Sequence, residues 1–274
     1  MAPKTIVITG ASDGVGAAAA RRLAADGHHV VPVGRSEEKT AAVAEDVGSE
    51  YFTADFADLG QVRSLASDLL QRYPKIDVLA NNAGAIFGKE RQVTVDGHEM
   101  TFQVNYLAPF LLTRLLTNRL LDSRGTVINT SSAANRLFAK LDITDLEAER
   151  AYTPQRAYGN SKLEQILFTE EFDRRYRASG ATSTAFHPGV IASGFSSAEG
   201  SAMRSVYQGI LGRFLQSPEQ GAQTLVFLAE GTPGADYPTG RYFARSKPAR
   251  ANKLAGNHAL ALDLWNRSVA MLER

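Results

Sequence analysis

Tyr158 and Lys162 are four residues apart in Tyr158-Gly159-Asn160-Ser161-Lys162, a spacing that sets both on one face of a helix. A free phenol titrates near about 10, and an ammonium beside it favours the phenolate, so the pair suits proton exchange with one small molecule. Upstream, Ser131-Ser132 ends a β-branched run and offers a hydroxyl to an oxygen that gains charge.

A place to hold a second reactant is written at the N-terminus, in Thr9-Gly10-Ala11-Ser12-Asp13-Gly14-Val15-Gly16. It separates a strand-like run from a helical one, where backbone N–H groups and the positive end of a helix face a phosphate. Gly10, Ser12, Asp13, Gly14, Val15 and Gly16 are therefore candidate contacts to a dinucleotide. The next strand runs into Gly34-Arg35-Ser36 with no acid for a ribose hydroxyl. A guanidinium at Arg35, with Ser12 as an added donor, suits the extra 2'-phosphate of NADP, so NADP(H) is the expected cofactor. The turn also contains Gly10-Ala11-Ser12-Asp13-Gly14, which matches the GxSxG nucleophile elbow. A serine hydrolase on Ser12 is thus an alternative, although only nine residues precede Gly10 and His187 or His258 would have to complete a triad. A nucleotide sensor without turnover is a third class, against which Ser132, Tyr158 and Lys162 argue.

Short β-branched runs alternate with helical patterns, the signature of a parallel sheet covered on both faces. Strands are expected at 4–9, 28–33, 51–53, 76–80, 125–130, 181–186 and 240–244. Helices are expected at 14–26, 36–46, 59–73, 97–121, 155–178 and 218–230. Pro32 conflicts with an interior strand, and Pro109 should kink the helix that holds it.

In order along the chain, the glycine turn, Asn81-Asn82-Ala83-Gly84, Asn105, Ser132, Tyr158/Lys162 and Pro188-Gly189 resemble the short-chain dehydrogenase/reductase family over essentially the whole chain. The resemblance implies a single doubly wound α/β Rossmann-like domain, with a seven-stranded, mostly parallel sheet ordered 3-2-1-4-5-6-7. It implies interconversion of a carbonyl and an alcohol by hydride transfer, on a tetrad of Asn105, Ser132, Tyr158 and Lys162. Tyr158 would be the acid or base, Lys162 would hold the nicotinamide ribose, Ser132 would hold the substrate oxygen, and Asn105 would position a water joining Lys162 to solvent. It further places Asp55 and Phe56 at the adenine, Asn81, Ala83 and Gly84 by the ribose, and Pro188, Gly189, Ile191 and Ser193 near the carboxamide. Ser193 replaces the family's usual Thr.

Ser132 and Tyr158 are 26 positions apart, against about a dozen in many members of the family. This insertion at about 135–156 and the ending from Gly240 to Trp265 resemble the retinol-dehydrogenase and protochlorophyllide-reductase branch. Phe87, Phe138, Leu141, Ile191, Phe195, Met203 and Tyr207 suggest an apolar or aromatic substrate pocket, and 190–217, punctuated by Gly194, Gly200, Gly209 and Gly212, a lid.

Composition narrows the remaining classes. Thirty basic against 29 acidic side chains leave no charge excess for nucleic acid, and the run from Arg241 to Lys253 is expected to be a solvated surface. The sequence holds no cysteine, five scattered histidines without metal-ligand spacing, no signal-like start and no long apolar run. A cytoplasmic protein with no metal, no membrane partner and a small-molecule substrate is expected, with monomer or homo-oligomer left open.

Overall fold

The computed structural model describes residues 2–191 and 216–273. Its sheet is assembled from β1 (Thr5–Thr9), β2 (His29–Gly34), β3 (Phe52–Thr53), β4 (Val78–Asn81), β5 (Thr126–Thr130), β6 (Thr182–His187), β7 (Tyr242–Ala244) and β8 (Lys247–Pro248). Their order is β3-β2-β1-β4-β5-β6-β7-β8, parallel up to β7 and antiparallel between β7 and β8. The sheet thus has eight strands rather than the expected seven. The added one is a two-residue edge carrying an exposed Lys and a Pro, and such an edge has no apolar alternation to reveal it. It follows a tight turn in which Arg245 and Ser246 both have positive φ, 52° and 57°.

Helices α1 (Gly14–Ala25), α2 (Glu37–Val47) and α8 (Pro218–Glu230) accompany the sheet core of Ile6, Ile8, Val30, Ile128 and Phe186. The opposite core gathers α3 (Leu59–Arg72), α5 (Ala108–Ser123), α7 (Pro154–Tyr176) and α9 (His258–Leu272) around Val7, Val31, Leu79 and Val127. Strand residues alternate between these two clusters because successive side chains leave a strand on opposite faces. Helix starts follow the sequence: Asp13, Ser36, Asp58, Thr153, Ser217 and Asn257 each cap a helix with a side-chain oxygen.

Both proline conflicts resolve physically. Ala11 N–H donates to the Val33 carbonyl, and Ala54 N–H to that of Gly34, so Val33 faces β1 and Gly34 faces β3. Pro32, two before Gly34, also faces β3, which pairs only with Val33 and Gly34, so no donor is needed there. The helix expected at 97–121 is instead a short α4 (Met100–Phe102), a π-turn over Gln103–Leu107, and α5. Pro109 lies in the first turn of α5, where a missing N–H is tolerated.

Candidate functional site

At the carboxyl ends of β1, β4, β5 and β6 the strand order reverses, and a crevice opens where α/β sheets bind ligands. Lys162 enters it from α7. It is 2 % exposed, donates from Nζ to the Thr130 carbonyl at 2.9 Å, and lies 5.5 Å from the Tyr158 ring centroid. Burial pushes its pKa down from 10.5 to about 7, because a charged ammonium loses hydration there. Gly84 lies alongside: a Cβ at that position would stand 3.1 Å from both Lys162 Nζ and Asn105 Oδ1. The structure therefore brings Gly84, Asn105, Tyr158 and Lys162 together.

Asn105 belongs to the π-turn. Its side chain clasps Ala85, accepting from the N–H at 2.8 Å and donating to the carbonyl at 2.9 Å, and also donates to Ser161 Oγ at 3.1 Å. Pro109 deprives the Asn105 carbonyl of its helical donor, and Gln165 Nε2 donates to that carbonyl instead. Gln165 is a residue that sequence reasoning missed. Its signal was available, since 158, 162, 165 and 169 lie on one helical face.

The two serines divide. Ser131 is buried and donates from Oγ to the Lys162 carbonyl at 2.6 Å, whereas Ser132 is only half-buried, its Oγ accepting from Ala134 N–H at 3.2 Å. Asn135 supports Ser132 from behind: its Nδ2 donates to the Ser132 carbonyl at 2.5 Å and to the Tyr242 hydroxyl at 3.3 Å. On the next strand, the His187 ring stacks on Tyr242 at 6.0 Å, and its Nδ1 accepts from Gly189 N–H. Burial lowers the His187 pKa, with Arg245 adding to the effect.

The glycine turn fits a closely approaching nucleotide. A Cβ at Gly16 would stand 2.3 Å from the Gly10 carbonyl oxygen, and Gly10, at φ 64°, passes Ala83 so closely that a Cβ there would be 2.8 Å from its Cα. Asp13 caps α1 by accepting from Gly14 N–H, itself at φ 56°. Ser12 packs against Gly34, its Oγ 3.2 Å from a Cβ placed there, and among the described residues it bonds no histidine. Arg35 is exposed just beyond Gly34. Lys39, which the sequence reading overlooked, stands on the first turn of α2 with Nζ 3.9 Å from Asp13. Its position one helical turn past Arg35 was the signal. A narrow glycine turn with two exposed cations beside it, leading to a buried ammonium, suits a phosphorylated dinucleotide.

Other expected contacts are distributed differently. Asn81 turns into the interior, donating to Thr113 Oγ1 and Asn129 Oδ1 at 2.9 Å each. Its neighbour Asn82 holds the turn, donating from Nδ2 to the carbonyls of Thr9 and Gly10. The Phe56 ring is core, and its carbonyl accepts from Gln103. The Asp55 carboxylate accepts from Ala57 N–H at 3.0 Å. Ile191 meets Val15 over Gly221, where a Cβ would stand 2.5 and 3.0 Å from their methyl carbons. Gly189, after Pro188, has φ 94°. Leu141 is half-buried and packs against the core. Ser193, Phe195, Met203, Tyr207 and most of 190–217 lie outside the described residues. No metal-holding group of His, Asp and Glu occurs among the described residues, and no helix there is long and apolar enough to cross a membrane.

A doubly wound sheet with a nucleotide-shaped turn and a buried Lys beside a half-buried Tyr at its switch point defines a dinucleotide-dependent oxidoreductase of the Rossmann-like class. The short chain dehydrogenase family model matches residues 4–204, and the chain belongs to that family, whose members are NAD(P)-dependent oxidoreductases acting on alcohols and carbonyls. It is 38% identical to the "Putative daunorubicin C-13 ketoreductase DnrU" of Streptomyces sp. (strain C5), across 97% of this chain and 92% of that one. Human retinol dehydrogenase 13 is 35% identical, across 98% and 86%. Among solved structures, a "putative NAD(P) dependent gluconate 5-dehydrogenase" from Beutenbergia cavernae, with NADP bound at low occupancy, superposes with a TM-score of 0.71 at 25% identity, covering 89% of this chain and 95% of that one.

Proposed function

We propose that the protein is an NADP(H)-dependent carbonyl reductase or alcohol dehydrogenase in which Tyr158 exchanges a proton with the substrate oxygen. The observation that carries this reading is the buried Lys162 ammonium beside the Tyr158 ring. An ammonium whose pKa is driven down to about 7 gains most from a neighbouring negative charge, and a Tyr158 phenolate supplies one. The nicotinamide carries the hydride when bound. Lys162 holds its ribose, and Gly10, Gly14, Gly16, Ala83 and Gly84 leave room for the rest of the nucleotide. Ser132, left available while Ser131 is tied to α7, donates to the substrate oxygen as charge develops there. Asn105 acts by clasping Ala85 next to Gly84, which keeps the crevice floor in place.

Arg35 and Lys39 support NADP(H) over NAD(H), since both cations flank the end of β2 where the 2'-phosphate would lie. Phe87 and Phe138 favour an apolar or aromatic substrate, and the two relatives are named for daunorubicin and for retinol. The cytoplasm is the compartment we assign, to be checked by cell fractionation. The decisive measurement is loss of NADPH absorbance with a panel of ketones, aldehydes and quinones. Turnover should fall by about 10²–10⁴-fold in Tyr158→Phe. Turnover retained in that variant would refute the assigned proton donor.

A further inference from the structure

The Ser131 N–H still bonds the Phe186 carbonyl of β6, at 2.7 Å, but Ser132 has left the sheet. Its carbonyl is held instead by Asn135 of α6 (Ala134–Leu137), which donates to it twice, from the main-chain N–H at 3.1 Å and from Nδ2 at 2.5 Å. Asn135 is fully buried and its amide is completely engaged. Nδ2 also donates to the Tyr242 hydroxyl at 3.3 Å, and Oδ1 accepts from the Asn252 N–H at 2.8 Å. That N–H can only donate and the Ser132 carbonyl can only accept, so these two partners fix which way the amide points. Asn252 adds a second bond, from Nδ2 to the Asn135 carbonyl at 2.8 Å.

Asn252 is itself anchored. Its Oδ1 accepts from Leu254 N–H and its carbonyl from Ala255 N–H, both at 3.0 Å. The Gly256 N–H then donates to the Glu170 carboxylate of α7, 2.8 Å from the nearer oxygen. Helix α7 also carries Tyr158, and it meets α6 directly. A Cβ at Gly159 would stand 2.7 Å from Ala139 N and 3.0 Å from the Ala134 carbonyl oxygen, while Lys140 N–H donates to Asn160 Oδ1 at 2.8 Å. The strip from Ser132 to Lys140 is thus clamped between the residues that follow Tyr158 and the chain around Asn252.

We propose that Asn135 is the positioning residue for Ser132, and that the segment from Ala249 to Gly256 acts on the reaction through it. The role rests on the proposed hydride chemistry, in which the Ser132 and Tyr158 hydroxyls meet one substrate oxygen. Those hydroxyls stand on different elements, 26 positions apart, so their separation is set by what holds α6. Ser132 Oγ accepts from Ala134 N–H at 3.2 Å, which leaves its own proton for the substrate. Swinging the Ser132 carbonyl changes the backbone turn on which that hydroxyl stands, and two donors from one buried residue oppose the swing. A misplacement of about 1 Å is enough to cost about a hundredfold in rate. Asn135 acts on the reaction only through Ser132, and Asn252 only through Asn135.

The test is a double-mutant cycle on kcat for a carbonyl compound that the parent reduces, with NADPH titrated calorimetrically into every variant to count folded, cofactor-competent sites. Ser132→Ala should lower kcat per site about 10²–10³-fold. Asn135→Ala should lower it about 10–10²-fold, with NADPH affinity within about twofold of the parent. In the Ser132→Ala background, Asn135→Ala should change kcat by less than about threefold, because the group it positions is gone. Asn252→Ala, which leaves Ser132 and Asn135 themselves intact, should show the same dependence on Ser132 with a smaller loss, and it decides the matter if Asn135→Ala does not fold. Losses in kcat that multiply, an unchanged kcat in both asparagine variants, or a fall only in the number of NADPH sites would each overturn the role and leave the hydride reading intact. A parent chain that reduces no carbonyl compound, or an unchanged kcat in both Ser132→Ala and Tyr158→Phe, would overturn the hydride reading and this role with it.

Discussion

The side-chain amide of Gln165 donates to the main-chain carbonyl of Asn105, the very carbonyl that Pro109 leaves without a helical donor. A proline in one helix and a glutamine in another thus form a single device that steadies the π-turn from which Asn105 reaches Ala85. Gln165→Leu should lower stability in urea by about 1–3 kcal/mol, the penalty for an unsatisfied buried carbonyl. Pro109→Ala should recover part of that loss only in the Gln165→Leu background. A double-mutant coupling below about 0.5 kcal/mol would show that the two act separately.

Lys162 makes stability depend on pH in an unusual direction. Its pKa in the folded protein, about 7, is below the ordinary 10.5, so below about pH 7 both folded and unfolded chains hold the proton and the full burial penalty applies. Between those values the folded chain has released a proton that the unfolded chain keeps, and this contribution to stability rises with pH. Lys162→Met should therefore melt at a higher temperature than the parent at about pH 6, and its advantage should shrink by about pH 9. A difference in Tm that is constant over the range would remove the burial account. The same variant should lose turnover.

Arg35→Ala and Lys39→Ala should each raise KM for NADPH about tenfold while leaving NADH kinetics nearly unchanged. The double variant should discriminate little between NADPH and NADH. If NADPH and NADH are used equally well by the parent chain, the cofactor assignment fails.

Asn81 and Asn82 are adjacent in sequence yet predict opposite phenotypes. Asn81→Ala removes donors to Thr113 and Asn129 inside the sheet, and should cost about 1–3 kcal/mol of stability with little effect on nucleotide affinity per folded molecule. Asn82→Ala frees the carbonyls of Thr9 and Gly10, and should weaken nucleotide binding more than it lowers Tm. Isothermal titration and thermal melts of the two variants would separate these effects.

The sequence made most of the architecture legible because its signals are local: glycines in the first turn, oxygen caps at helix starts, and β-branched strands. Pro218–Glu230 was readable to the residue from Ser217 and Pro218. What escaped depends on direction and distance. A motif such as Asn81-Asn82-Ala83-Gly84 names residue types but does not say which of two successive side chains faces inward. The ring of Phe56 completes a core formed by distant helices, a direction that the pattern Asp55-Phe56 does not specify. The helix His258–Leu272 was overlooked even though Asn257 caps it and Ala261, Leu264, Trp265 and Ser268 repeat at its pitch.

That last helix also bears on how the chain is made. The Trp265 ring stands 5.0 Å from Phe110 and 6.0 Å from Phe168, closing an aromatic seam whose members are far apart in the polypeptide. A ribosome can deliver the glycine turn and the first four strands early, but this seam stays open until the final residues emerge. Nascent chains stalled before residue 258 should therefore hold Phe110 and Phe168 uncovered and recruit chaperones, while completed chains release them.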